Sequence, residues 1–498
     1  MPNNGNSEAT GYSSNSTNAT LGISRRRALK SLGVAGVAGL AGCAGGNGGS
    51  GNGGTTDASG GGGTATTGGS EKNANGTTIT LWTTLHGQSK VAEQFLDETI
   101  KAYEQRTGNS VQWIKETVSN VQNGNWRQRM AQGQIPTLYQ TAPSRIGGLI
   151  DAGYVTPWGS VLDQLSDDVV SGTEWAQPVV ENIYRGFEDN KLKTALLGFV
   201  MQEPFVARAD HFEEAGLDIE TDFPPKNYDE LIDIAKTLQK DGPGDIGFQV
   251  HGAPGDLMDE ISPTWAHAIG GEQGLYVNAD WSDTHLDSDA WKTSLRRQVE
   301  IYREMGLSAE NSATTSDEDA CRFLADGRAS MSQVGMLNYG LLSNLAPDML
   351  ENGTLRYGAS WKGESGFRGE FNATALALGS KPPNVSSAKW ERQRQAGIEF
   401  IDTMLSTEVQ KKAFTKWGLL PFNRNAWEES PTLKNNAVEA GIAIAEESEY
   451  GWQAFPEMAA VQYNISGPIF QQAMTGELSP EEACNQAASQ IRQQVFSR

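Results

Sequence analysis

The chain has 498 residues, 39 basic against 61 acidic ones, and a formal net charge of -22. An acidic excess of that size repels nucleic acid and anionic lipid, which are bound through basic patches. Only three cysteines are present, so no disulfide framework holds the fold, and neither CxxC, HExxH nor a Cys/His cluster offers a metal site.

The N-terminal stretch carries an export address. Ser24-Arg25-Arg26-Arg27-Ala28-Leu29-Lys30 holds a twin-arginine pair, and Leu40-Ala41-Gly42-Cys43 closes on one cysteine suited to lipid attachment. The apolar run from Ala28 to Ala41 has only 14 residues. That is short of the ~20 needed to span a bilayer, so residues 1–42 are expected to be a signal peptide and Cys43 a lipid anchor. Residues 43–76 are rich in Gly, Ser, Thr and Asn and bury little, which predicts a flexible leash with a reach of about 30 Å. Acidic residues are scattered through the remainder. This matches the hydrated surface of a high-salt organism, where screening shortens self-repulsion to a few ångströms.

The folded part opens with Thr78-Ile79-Thr80-Leu81-Trp82, which alternates as a strand. Ser89 then caps a helix whose Val91, Phe95, Ile100 and Tyr103 share one face, and Gly108 stops it. Val111 to Trp113 reads as a second strand, a helix surrounds Trp126 and Met130, and Thr137 to Gln140 reads as a third strand. Further helices are predicted over Tyr228–Leu238, over Trp291–Met305, and to Trp417 from a capping box of Thr407 with Gln410. Strands alternating with helices predict an α/β fold with mostly parallel sheet. Cys321 and Cys484 lie in helical stretches and read as buried thiols or, less simply, a pair. Asp280, Asp283, Asp287 and Asp289 lack an EF-hand's loop glycine and closing glutamate, and read as solvated surface. Asn75, Asn352, Asn372, Asn384 and Asn464 head glycosylation sequons.

Several motifs then follow in order. They are Leu81-Trp82 leading to Glu104-Gln105-Arg106-Thr107-Gly108, Gly133-Gln134-Ile135-Pro136, and Leu149-Ile150-Asp151-Ala152-Gly153-Tyr154-Val155-Thr156-Pro157. After these come Phe212-Glu213-Glu214-Ala215-Gly216-Leu217 with Pro225-Lys226-Asn227-Tyr228-Asp229-Glu230-Leu231, Phe323 to Met331, and Gly418-Leu419-Leu420-Pro421. In this order they resemble the family 1 extracellular solute-binding proteins, the maltose-binding-protein-like receptors of ATP-driven (ABC) importers. The resemblance implies a two-lobed periplasmic-binding-protein-like α/β fold of type II, with discontinuous lobes, a hinge and a ligand cleft between them. It places 77–203 and 332–380 in the N-terminal lobe, and 204–331 and 381–498 in the C-terminal lobe. Crossings are expected near Gln202-Glu203-Pro204, Met331-Ser332-Gln333 and Ser380.

A sugar needs aromatic platforms for its C–H face and planar polar groups for its hydroxyls. On the resemblance, Trp82, His86, Gln140 and Arg145 face the cleft from the first lobe, and Glu203 stands at the crossing. Tyr339, Glu370, Asn372 and Tyr463 follow, with Trp265 and Trp361 as further ligand-binding candidates. The implied partners are a small solute, permease subunits with a cytoplasmic ATPase, and the membrane through lipid. The resemblance implies no enzyme activity, no cofactor and no metal, and a monomer is expected. A polyamine or glycerol phosphate is the alternative solute. A secreted carbohydrate-active enzyme is the rival class, although Gly87-Gln88-Ser89-Lys90-Val91 lacks the final glycine of a nucleophile elbow.

Overall fold

Ile79 and Leu81 point inward while Thr78 and Thr80 face outward, and this alternation makes Thr78–Thr83 the strand β1. The computed structural model describes residues 76–84, 90–117, 120–121, 124–187, 196–200, 203–417, 419–428, 435–449 and 451–497. Arg25, Arg26, Cys43, His86, the leash as far as Asn75, and the expected cap Ser89 lie outside the described residues.

Helix α1 (Lys90–Thr107) buries Phe95, Leu96, Ile100 and Tyr103, and ends where Gly108 adopts a φ of 74°. Strand β2 (Ser110–Lys115), helix α2 (Asn125–Ala131), β3 (Leu138–Thr141) and helix α3 (Pro143–Asp151) follow, then β4 (Leu196–Val200). β1 lies between β2 and β3, parallel to both. The chain then passes through Glu203 into a second sheet. That sheet comprises β5 (Phe205–Arg208), β6 (Ile246–Gln249), β7 (Ala329–Gln333) and β8 (Leu355–Gly358), in the order β6-β7-β5-β8. It returns to the first sheet as β9 (Ala373–Leu378) and β10 (Leu420–Pro421), giving the order β10-β4-β9-β3-β1-β2.

Helices of the second lobe include α4 (Tyr228–Asp241), α5 (Pro254–Asp259), α6 (Ile261–Gly270), α7 (Asp289–Val299) and α8 (Asp317–Ala325). Asn227 caps α4 by accepting from the Glu230 amide, and Ser316 with Asp319 forms a capping box on α8. The first lobe regains α9 (Ser387–Leu405), which packs on β1 and β9, and α10 (Thr407–Trp417). Helices α11 (Gly467–Thr475) and α12 (Pro480–Ile491) close the chain against α7.

Sheet membership differs from the expected lobe boundaries. Met331 pairs with both Ala207 and Phe248, so the segment expected to begin the return is a central strand of the second sheet. The return lies between β8 and β9, and 387–421 belongs with the first sheet rather than the second lobe. The strand Ala-Ser-Met-Ser-Gln alternates apolar and polar residues yet is buried at every position, so its pattern does not mark a solvent-facing edge. The α10 cap also differs. Thr407 donates from its N–H and Oγ1 to Asp168, while Gln410 Nε2 donates to the Met404 carbonyl, so no Thr407–Gln410 box forms. The helix expected over Trp291–Met305 is α7 followed by a π-helical turn, Glu300–Glu304.

Each lobe has an aromatic core. In the first, Trp82 meets Trp126 at 5.6 Å, Trp126 meets Tyr139 at 6.0 Å, and Arg129 lies 3.8 Å over the Trp82 ring. In the second, Trp265 lies 5.0 Å from Trp361, which lies 5.4 Å from Phe205. Cys321 and Cys484 are free, buried and in different core clusters. The aspartates near 283 are occupied by Arg492, which lies 2.7 Å from Asp283 and 2.6 Å from Asp287.

Candidate functional site

Pro143 opens α3 directly after β3, and this turn aims Ser144 and Arg145 at the other lobe. Arg145 Nη2 donates to Asp259 Oδ2 at 3.2 Å and to the Tyr463 hydroxyl at 3.0 Å. The Tyr463 O–H in turn donates to the Asp259 carboxylate, 2.6 and 2.7 Å from its two oxygens. Asp259 ends α5, and Tyr463 lies in the π-helical turn Ala460–Ser466 that leads into α11. One triad therefore ties the first lobe to the second. Arg145 is only 6% exposed and Asp259 only 16%.

The backbones meet just as closely. A Cβ on Gly147 would lie 2.0 Å from the Ala454 carbonyl oxygen and 2.7 Å from that of Phe455. Here glycine is required by approach, not by φ. Farther along the junction, Phe187 packs edge-on to Trp281 at 4.8 Å, and Arg185 pairs with Glu272 at 3.1 Å.

Beside the triad, the crossing segments bring together polar groups that the protein itself leaves unsatisfied. Asn372, fully buried at 0% exposure, approaches the Glu203 carboxyl, yet neither of its amide atoms closes a hydrogen bond. Glu203 Oε2, Glu370 Oε2, Trp452 Nε1, Ser144 Oγ and both Gln462 amide atoms are also without partners. Trp452 packs with Ala142, at the end of β3, and its indole is turned toward Glu370. Each such orphan costs about 1–3 kcal/mol. A folded protein retains several in one place when something else is meant to satisfy them.

The electrostatics at the junction are one-sided. Burial first, then the charges of Asp317 and Asp259, push the Glu203 carboxyl well above the usual range. Burial does the same to Glu370, with Asp259 adding to it, and to Glu260, with Asp317, Glu203 and Asp256 adding to it. For Asp259, burial outweighs the opposing pull of Arg145 and Tyr463. His251 Nε2 stands 2.9 Å from Glu260, but burial lowers its pKa to about 4, so it brings no charge there.

Asp256 is raised to about 7, by burial first and by Asp317 second. In the unfolded chain an aspartate ionises near pH 4. Between those values the folded group keeps a proton that the unfolded group has lost, so its contribution to stability falls as pH rises. His251 works oppositely below its ordinary pKa of about 6.5. Comparing wild type with Asp256→Asn isolates the first effect. In melting temperatures taken from pH 4.5 to 8, the difference between the two proteins is expected to change across the acid range and level off above neutrality. Parallel curves would refute the assignment.

The structure brings together five of the residues chosen from sequence: Arg145, Glu203, Glu370, Asn372 and Tyr463. The other described candidates lie elsewhere, and His86 falls outside the described residues. Trp82 is a first-lobe core residue, and Trp265 and Trp361 belong to the second core. The Trp265 indole donates to Gln333, whose own amide donates to the Glu203 carbonyl, so Trp265 stands behind the junction. Gln140 accepts from Thr83 at 2.5 Å within the first sheet. Tyr339 stacks near Tyr357 and Phe414, while its neighbour Asn338 reaches Asp317. Sequence reasoning missed Asp256, Asp259, Glu260, Asp317, Trp452 and Gln462. The burial of Asn372 also sets it apart from an ordinary glycosylation sequon.

A cavity of about 570 Å3 lined by Trp175, Val179, Phe367 and Arg424 lies elsewhere. Among its lining residues Arg424 pairs with Glu446 and Lys362 with Glu447, and none carries a buried polar atom without a partner as the junction residues do. Among the described residues no cluster of His, Cys, Asp or Glu is arranged to hold a metal ion.

Solved structures with this fold include a solute-binding protein of Thermotoga lettingae bound to α-D-tagatose. It is 19% identical, with a TM-score of 0.66 over 84% of this chain and 99% of that one. The GacH receptor of Streptomyces glaucescens, studied with acarbose, is 15% identical, with a TM-score of 0.67 over 84% of this chain and 98% of that one. The maltose/maltodextrin-binding domain MalE of Bdellovibrio bacteriovorus, bound to maltotriose, is 20% identical, with a TM-score of 0.62 over 84% of this chain and 99% of that one. No curated protein matches significantly by sequence. The family model for bacterial extracellular solute-binding proteins matches residues 98–440, a span that holds the second sheet and every strand of the first except β1. The chain therefore belongs to the bacterial extracellular solute-binding proteins, which bind solutes rather than transform them.

Proposed function

We propose that this protein is a lipid-anchored receptor that captures a sugar or oligosaccharide outside the cell and delivers it to an ABC importer. The observation that carries the site is the set of buried, unpartnered polar groups around Asn372, Glu203, Glu370 and Trp452. Sugar hydroxyls both donate and accept, and would satisfy such groups when the lobes close. The carbohydrate ligands of the fold neighbours support the solute class. The twin arginines, Cys43 and the Gly-rich leash support export and tethering. No described helix is long and apolar enough to cross a membrane. The receptor acts as a monomer with a permease pair and its ATPase, and the acidic surface suits a haloarchaeal cell without an outer membrane to retain a free receptor.

A thermal-shift and calorimetric screen over tagatose, maltotriose and related sugars in high salt tests this reading. A true ligand at one hundred times its Kd adds about 2.7 kcal/mol of stability and is recovered chemically unchanged. Stabilisation by no sugar would remove the carbohydrate assignment. Asn372→Leu supplies a sharper signature. Replacing an unpartnered buried amide by an apolar group of similar shape is neutral or stabilising for the ligand-free protein. Affinity for the stabilising sugar is expected to fall at least tenfold while the ligand-free melting temperature holds or rises. A drop in both would make Asn372 an ordinary structural residue.

A further inference from the structure

From the charge balance of the junction we infer that the captured solute carries a protonated amine, seated against Glu203 and Glu370 beside Trp452. The inference rests on the reading of the junction as the ligand site, and it narrows the solute from any polyol to an amine-bearing one.

Six carboxylates gather there: Glu203, Asp256, Asp259, Glu260, Asp317 and Glu370, each within electrostatic reach of at least one other. They face one guanidinium, Arg145, which is already committed to Asp259 and Tyr463. Among the described residues no lysine or arginine pairs with Glu203, Glu260 or Glu370, and the His251 imidazole beside Glu260 is neutral. Buried carboxylates are retained when they are paired or when they serve a bound charge. A second observation is independent of charge. The Asn372 amide, buried and unpartnered, faces the Glu203 carboxyl, and the Trp452 ring stands beside Glu370. An ammonium that hydrogen-bonds the two carboxylates and the Asn372 carbonyl uses the orphan acceptors, and hydroxyls of the same solute can accept from the Asn372 amide and the Trp452 indole N–H. A neutral hydroxyl can fill the acceptors but brings no charge that would favour their ionised form.

Burial favours the protonated form of Glu203 and Glu370 in the ligand-free protein, so an ammonium seated against them re-ionises them and releases protons. The net charge of the site changes little, and the signature is proton release rather than simple attraction.

The test is isothermal titration of the full-length protein in high salt at pH 6.5, in two buffers of different ionisation enthalpy. The probes are β-1,4-linked glucosamine dimer and trimer, their N-acetylated counterparts, maltotriose and spermidine. The expected result is at least tenfold tighter binding of the free-amine oligomers than of the acetylated ones. Their binding enthalpy should also depend on buffer, with the sign of proton release. Glu203→Gln should erase that preference and the buffer dependence, and its melting temperature verifies folding. Equal or tighter binding of acetylated oligomers or maltotriose overturns the amine and leaves the sugar receptor standing. Binding of spermidine alone upholds the amine and overturns the sugar. Binding of none of the probes overturns the inference.

Discussion

Gly147→Ala is expected to abolish ligand binding while leaving both lobes folded. The added methyl would lie 2.0 Å from the Ala454 carbonyl oxygen, a backbone atom with no rotamer to turn away. Gly147 sits on α3 in the first lobe, and the 454–455 segment leads into the second-lobe core at Phe455. Alanine is also the better helix former, so the helix itself gains nothing from the native glycine. Ala454 donates its N–H to the first-lobe Ile183 carbonyl, so the collision is taken up by the segment that runs from there to Phe455, and shifting that segment moves the Tyr463 turn beyond it away from Arg145. A ligand held between lobes gains its affinity from the closed population, so an excluded closed state costs affinity directly. Titration calorimetry is expected to show at least a hundredfold weaker binding, far-UV circular dichroism no change, and small-angle scattering a larger radius of gyration. Wild-type affinity in Gly147→Ala would show that the 147–454 contact takes no part in binding.

The sequence is most legible where local rules act alone. The inward positions of β1, the buried stripe of α1 and its stop at Gly108 appear as the patterns require. Glu203 was reachable because motif order placed it at a crossing, and Glu370 and Asn372 because the family resemblance implies a ligand-facing loop there. Asp256, Asp259 and Glu260 were not. Spaced three and four apart on a short helix, they look like a solvated face in a chain with 61 acidic residues. Groups distant in sequence bury that face: Arg145 and Tyr463 against Asp259, the Asp317 amide against Asp256, and His251 beside Glu260. Trp452 stands outside any regular element, so no periodicity marks it. Trp82, Trp265 and Trp361 mislead for the opposite reason. A tryptophan at a strand end fits a ring platform and a core plug equally well, and only contacts such as the 5.0 Å Trp265–Trp361 pair decide. Sheet assignment after residue 331 differs because β7 is buried at every position, so its apolar–polar alternation does not tell which sheet it joins.

The triad makes an asymmetric prediction. Asp259→Ala is expected to destabilise the closed protein by about 3–5 kcal/mol, the range for removing one partner of a buried ion pair. Arg145 is then left 6% exposed, with its Nε already unpartnered and only the Tyr463 hydroxyl on its Nη2. A guanidinium cannot give up its proton at any accessible pH, so the charge must either stay buried or leave by opening the lobes. Arg145→Met is expected to be much milder. The Asp259 carboxyl it abandons is already biased toward the neutral form by burial, keeps the Tyr463 hydroxyl, and can take up a proton. The thioether chain also replaces much of the lost packing. Raising the pH above 8 should narrow the gap between the two variants, because keeping Asp259 protonated then becomes costly for Arg145→Met. Thermal unfolding of both single variants and of Arg145→Met/Asp259→Leu, at pH 6 and pH 8.5, measures the asymmetry and the coupling. If Arg145→Met proves the more damaging at pH 6, the pair is held by something other than the buried guanidinium's need for a counter-charge.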